Sequence, residues 1–324
     1  MKDYFERAGI FDEARDAKPV KNPEKKKGLP LAAELLIFVM LFLVGTFAEL
    51  LFMVPGELLL IAGDPACQWA REVGEEGLLR EAMEFLAMSD KYVILMLFAD
   101  CMLIAVVFLF CRFLQKRKLR TLGFVKKNVV SEYLWGALIG FAMFTLAVIV
   151  CVVTGALRIN GFSQTFHPVV FLFFVGGYMI QGMAEEVLCR GYLMVSIARR
   201  QCLPVAILSN SLLFAALHLA NDGITVLAFV NLVLFGVFAS LLFIRRGSIW
   251  MVGAVHSVWN LVQGNVYGIR VSGMVNTCSV LETLTKDGMT VINGGSFGLE
   301  GGLAVTLVLG AGIVLLALPK KKTA

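Results

Sequence analysis

Residues 176–194 read GGYMIQGMAEEVLCRGYLM, which sets two adjacent carboxylates and a guanidinium inside an apolar run. A helix needs about 20 predominantly apolar residues to cross a bilayer, and this run extends over residues 168–197. Working outward, windows of similar character cover 31–54, 92–111, 133–157, 203–220, 222–244, 249–267 and 301–318. The whole chain of 324 residues is 58% hydrophobic and 16% charged, whereas soluble domains sit near 45–50% apolar and about 25% charged. The reading is an all-α, polytopic transmembrane helical bundle of about eight spans. A soluble enzyme, a disordered scaffold and a secreted disulfide-rich domain are excluded.

Lysine and arginine set the orientation. Twenty-two of them fall in 1–30, 112–132, Arg199 and Arg200, Arg245 and Arg246, and the final Lys320 to Lys322, all on one side of an eight-pass chain. The opposite loops hold six, and Arg190 alone lies within a span. The split predicts both termini in the cytosol of a multi-pass cell-membrane protein. The formal net charge of +5 reflects this placement; no basic stripe with interleaved aromatics points to nucleic acid. Thirty mostly polar residues precede the first apolar run, so no cleavable signal is expected. The first 16 residues are expected to form an amphipathic interfacial helix or a frayed polar tail.

Ionisable groups within a span are costly, so each needs a reason. Glu186 and Arg190 are four apart, which places acid before base on one helix face. Glu185 is turned about 100° from Glu186, so Arg190 cannot serve both acids equally. One carboxylate reads as structural and the other as free to take a proton. Phe214 and His218 in FAALHLAN, and His256 and Asn260 in HSVWN, repeat the four-residue spacing on later spans. At about 1.5 Å per residue, Glu185, His218 and Asn260 lie roughly 21–25 Å from the basic ends of their helices, with His256 one turn nearer. All four can therefore meet at one depth. A carboxylate and a histidine can activate water while a second histidine and an amide donate to an oxyanion. Glu185, His218 and His256 are equally a zinc ligand set with the remaining glutamate as base. The residues leave both routes open, with zinc or with no cofactor, and both hydrolyse an acyl bond.

In this order, EExxxR, FxxxH and HxxxN resemble the CPBP intramembrane proteases, the CAAX-protease and bacteriocin-processing or Abi family that includes the Rce1-type CAAX endopeptidases. The resemblance covers about residues 132–266, and KRKLRTLGF (116–124) is similar to the segment before the family's core. It implies an intramembrane endopeptidase acting on peptide or membrane-protein substrates, with an active site opening toward the cytosol. Glu185 and His218 would activate water, His256 and Asn260 would stabilise the oxyanion, and Glu186, Arg190 and Phe214 would support them. Metalloprotease and metal-free glutamate chemistry both remain open.

The resulting organisation has a cytosolic tail (1–30) and two variable spans with an acidic outer loop at 63–91 and a basic linker (31–131). The protease-like core (132–266) follows, and then an outer loop, a last span and a basic tail (267–324). Plainer readings stand beside these. The charges of the fourth span can be a structural ion-pair network, and His218 and Asn260 can be helix-packing hydrogen bonders. Asp100 reads as a buried partner or a proton-relay group, Glu49 and Glu57 as exposed at the outer end of the first span, and His167 as interfacial. Five cysteines read as small core residues; Cys67 and Cys278 fall in outer loops, where a disulfide would need an oxidising exterior. Two rival functions remain: a non-catalytic immunity or interaction protein of the same fold, and an ion-coupled transporter.

Overall fold

The structure, a computed structural model, describes residues 28–318. Leu31–Gly63 (α1) is followed by two short helices, Pro65–Val73 (α2) and Glu76–Ala87 (α3), then by Asp90–Leu114 (α4) and Val129–Val153 (α5). Strand Leu157–Phe162 (β1) leads to Pro168–Ala198 (α6), Leu203–Leu217 (α7) and Val226–Arg246 (α8). Trp250–Leu261 (α9) runs on through a π turn at Val262–Val266; strand Leu281–Thr285 (β2) precedes Leu303–Ala317 (α10). Helices α1, α4, α5, α6 and α8 are long and apolar enough to cross a membrane. With α7, α9 and α10 they account for all eight apolar windows, and the fold is an all-α membrane bundle. The proposed interfacial helix at the N-terminus and the final lysines lie outside the described residues.

The helices alternate between two ends of the bundle. At one end Arg246 pairs with Glu132 and Arg245 donates to Leu318 O. There too Arg117, fully buried, donates to Gln115, Ser196, Thr121 and the carbonyl of Gly191. Burial pulls that guanidinium below its ordinary pKa, and these hydrogen bonds hold the 116–122 turn against α6. At the other end β1 and β2 pair antiparallel. Asp90, at the start of α4, accepts from Thr277 N, Thr277 Oγ1 and Cys278 N at 2.6–2.9 Å. These are the basic end and the loop end.

Two sequence expectations change at the loop end. The 63–91 segment is helical: Asp64 accepts from Ala66 N and Cys67 N, Pro65 opens the first turn, and Gly74 (φ 74°) closes α2. An N-cap acid, an N1 proline and a left-handed glycine are local start and stop signals that override the segment's polarity. The fifth span also stops earlier than 220, because α7 ends at Leu217 and His218 is its C-cap. Cys67 and Cys278 are both free, and Cys278 Sγ faces the His167 backbone.

Close backbone contact fixes α9 within the bundle. A Cβ on Gly140 of α5 would lie 2.5 Å from Val255 O, and one on Gly182 of α6 would lie 2.6 Å from Ser257 N. In membranes such small residues let helices approach where lipid offers no hydrophobic drive. The two glycines grip α9 on either side of residue 256.

Candidate active site

Helix α6 changes winding directly after its two acids: α-helix runs to Glu186, and Val187–Met194 form π turns. Such π segments widen a helix and are frequent at functional sites. Within this one Arg190 is wholly buried; its Nη1 donates to Glu186 Oε1 at 2.8 Å, and its guanidinium lies 4.8 Å from the centre of the Phe214 ring. A buried ion pair is tolerated when geometry and extra hydrogen bonds offset desolvation. Here the same Glu186 oxygen also receives His256 Nδ1 at 2.9 Å.

Glu185 points the other way. Its Oε1 accepts from Gln181 Nε2 at 2.5 Å. Its Oε2 lies 3.8 Å from His256 Nε2 and has no hydrogen-bond partner. Gln181 in turn accepts from Asn260 Nδ2 at 2.9 Å, so α9 and α6 are linked by a chain from Asn260 through Gln181 to Glu185. His218 reaches the same space from the end of α7, where Nδ1 donates to Phe214 O at 2.8 Å and Nε2 is left as an acceptor. Phe214 and Phe235 pack against the two imidazoles, with ring centres 4.8–5.9 Å apart. Aromatic edges and faces orient the rings without competing for their nitrogens.

Glu185, His218, His256 and Asn260 thus line one pocket of about 90 Å³, together with Phe214, Gln181, Trp259 and Glu300. Glu186 and Arg190 lie behind its wall. Among the described residues no group of three His, Cys, Asp or Glu side chains is arranged to hold a metal ion. Within the Glu185, His218 and His256 set, His256 is tied through Nδ1 to Glu186 while its Nε2 lies 3.8 Å from Glu185 Oε2. These residues can transfer protons and can donate or accept hydrogen bonds.

Several contributors escaped the sequence reading. Gln181 is a polar residue one turn before Glu185 in an apolar run, and that spacing was the available signal. Glu300 stands in the glycine-rich GGSFGLEGG (294–302), a stretch with no motif. Its carboxylate accepts from Ser272 N at 2.9 Å and Ser272 Oγ at 2.7 Å, which ties the 271–274 loop over the pocket. Glu49, expected to be exposed, is partly buried and shares a side-chain hydrogen bond with Asp100; both feel the charge of Glu185. Asp100 therefore has a buried partner, an acid rather than an amide or hydroxyl.

The pocket sits toward the loop end, walled by Asn221, Val271, Ser272 and Met274. The basic residues gather at the opposite end. An opening toward the cytosol, which the family resemblance implied, is therefore incompatible with the orientation that the lysines and arginines set. The conflict arises because the first expectation came from relatives and the second from this chain's own charges.

Residues 165–262 match the family model described as type II CAAX prenyl endopeptidase, Rce1-like. The chain carries an Rce1-like domain. The match is narrower than the resemblance read from the motifs, yet it contains Glu185, Glu186, Arg190, Phe214, His218, His256 and Asn260. It covers under a third of the chain and stops short of the loop that bears Ser272 and of Glu300. No curated protein and no solved structure matches the chain.

Proposed function

We propose that this Rce1-like protein is an intramembrane endopeptidase in which Glu185 activates water against a peptide carbonyl. The observation that carries the reading is the division of labour between neighbouring acids. Glu186 Oε1 is held by Arg190 and His256 and the side chain lies outside the pocket, whereas Glu185 lines the pocket and has an unpartnered Oε2 beside His256 Nε2.

In this reading water gives a proton to Glu185 as its oxygen bonds to the carbonyl carbon. His218, held by the Phe214 carbonyl, accepts a hydrogen bond from the same water and aims it. The developing oxyanion is met by His256 Nε2–H, with the Glu186 carboxylate holding the ring through Nδ1. Asn260 adds a second donor, since one N–H is spent on Gln181 and the other is free. Glu185 then returns its proton to the departing amine, and the peptide bond breaks. Donors already in place at the oxyanion need no reorganisation during the reaction.

The prenylated CAAX substrate in the family's description is not part of the proposal for this chain. Cleavage assays on membranes bearing the wild type or Glu185→Gln test the reading. Loss of a defined product with Glu185→Gln supports it. A phenotype that survives the substitution supports the non-catalytic rival instead.

A further inference from the structure

The catalytic pocket, at about 90 Å³, is far below the roughly 300–1,000 Å³ of sites that enclose a small ligand. It can admit a scissile group but little else, so the rest of a substrate must be held nearby. A second cavity of about 1360 Å³ adjoins it, and Asn221, Ser272 and Met274 line both. Those three side chains border both spaces.

The larger groove straddles the loop-end boundary of the bundle. One wall is made of spanning helices, with Ile94 from α4 and Val169 and Phe173 from α6. The rest lies outside the spans: Phe85 at the end of α3 and Val275 in the loop that Asp90 holds. Phe85 is 75% exposed and Val275 50% exposed. Apolar side chains left open on non-spanning segments call for an occupant, and ordinary lipid contact accounts only for those on the helices. The occupant must be apolar where it meets α4 and α6 and must continue past the membrane boundary toward Asn221 and the pocket. A membrane-spanning peptide segment has that form.

Charge supplies the side. Among the described residues 11 lysines and arginines lie at the basic end and six at the loop end, and the positive-inside rule turns the groove and pocket away from the cytosol. Resting on the protease reading above, we infer that the substrates are membrane-anchored polypeptides docked by an apolar segment in this groove and cut near that segment's non-cytosolic end. A cytosolic C-terminal tail would meet the wrong face of the bundle.

Two measurements test this. The first adds a cysteine at Lys126 (K126C) or Lys286 (K286C) to a parent in which the exposed Cys202 is serine, and reads labelling of intact cells by a membrane-impermeant maleimide above that parent. Labelling of K286C but not K126C before permeabilisation is expected; the reverse pattern overturns the inference. The second maps new membrane-protein N-termini in cells expressing wild type, Glu185→Gln, Val169→Trp or Val275→Trp at matched levels. Val169 and Val275 are exposed groove residues outside the catalytic pocket, so both variants should fold.

The inference expects Glu185-dependent termini next to the non-cytosolic end of an apolar segment, with about tenfold lower abundance in either tryptophan variant, the loss of one good contact. Glu185-dependent termini in cytosolic tails overturn it and leave the protease reading intact. Undiminished cleavage in both tryptophan variants also overturns it, with lipid as the groove's occupant. If no terminus depends on Glu185, the protease reading fails and the inference falls with it.

Discussion

His256 donates from Nδ1 to Glu186 Oε1 over 2.9 Å, a bond between two helices whose residues are 70 positions apart in sequence. Because that carboxylate also holds Arg190, the imidazole is fixed in plane and presents Nε2 to the pocket. A histidine oriented by a buried carboxylate through its far nitrogen is set to act as a donor at the near one. The bond thereby makes Glu186 a positioning residue and leaves the chemistry to its neighbour.

Changing the two acids should separate these roles. Glu185→Gln should abolish cleavage while destabilising the protein by no more than about 1 kcal/mol, since the amide oxygen still accepts from Gln181. Glu186→Gln should destabilise by about 3–5 kcal/mol, because Arg190 is left without its counter-charge in a buried site. Equal destabilisation by both variants would contradict the assignment.

The link from Asn260 through Gln181 to Glu185 predicts graded losses. Asn260→Ala removes an oxyanion donor and should lower kcat by about 10²–10³ with KM little changed. Gln181→Leu keeps the donor but frees both of its neighbours, so a smaller loss in kcat is expected. Single-turnover kinetics on a defined substrate would distinguish the two.

Glu300 anchors the loop over the pocket without touching the reacting atoms. Glu300→Ala leaves Ser272 N and Oγ without their acceptor, at a cost of about 1–3 kcal/mol for each buried group left unsatisfied. Hydrogen exchange should rise across 270–278 and KM should increase more than kcat falls. Protection unchanged in that loop would remove Glu300 from the account.

Arg117 tests the basic end. Its hydrogen bonds to the 115–121 turn, to Ser196 and to the Gly191 carbonyl bind that turn to the π segment carrying Arg190. Arg117→Ala leaves buried acceptors such as the Thr121 and Gly191 carbonyls without their donor, at about 1–3 kcal/mol for each group left unsatisfied, and should reduce activity only through the folded fraction. A variant with full thermal stability and no activity would instead give Arg117 a direct role.

The sequence carries the bundle itself plainly, since eight apolar windows recur as helices. It also carries the pairing of Glu186 with Arg190, because i,i+4 spacing is a local property. The gathering of Glu185, His218, His256 and Asn260 in one pocket could be anticipated from their similar depths. His218 reaches that pocket as a C-cap and not from mid-helix, which hydropathy does not reveal. The π turns after Glu186, the clasp of Glu300 on Ser272 and the Glu49–Asp100 pair depend on long-range packing. No period or spacing in one chain encodes them. Helix α2 is legible in Asp64, Pro65 and Gly74 but lies hidden under the polarity of its segment.

The most direct test of the central claim compares the N-termini of membrane proteins in cells expressing wild type or Glu185→Gln at matched levels. The account predicts a defined set of termini present with wild type and absent with the variant. Coincident maps, with a deletion phenotype that both proteins rescue equally, would contradict catalysis by Glu185.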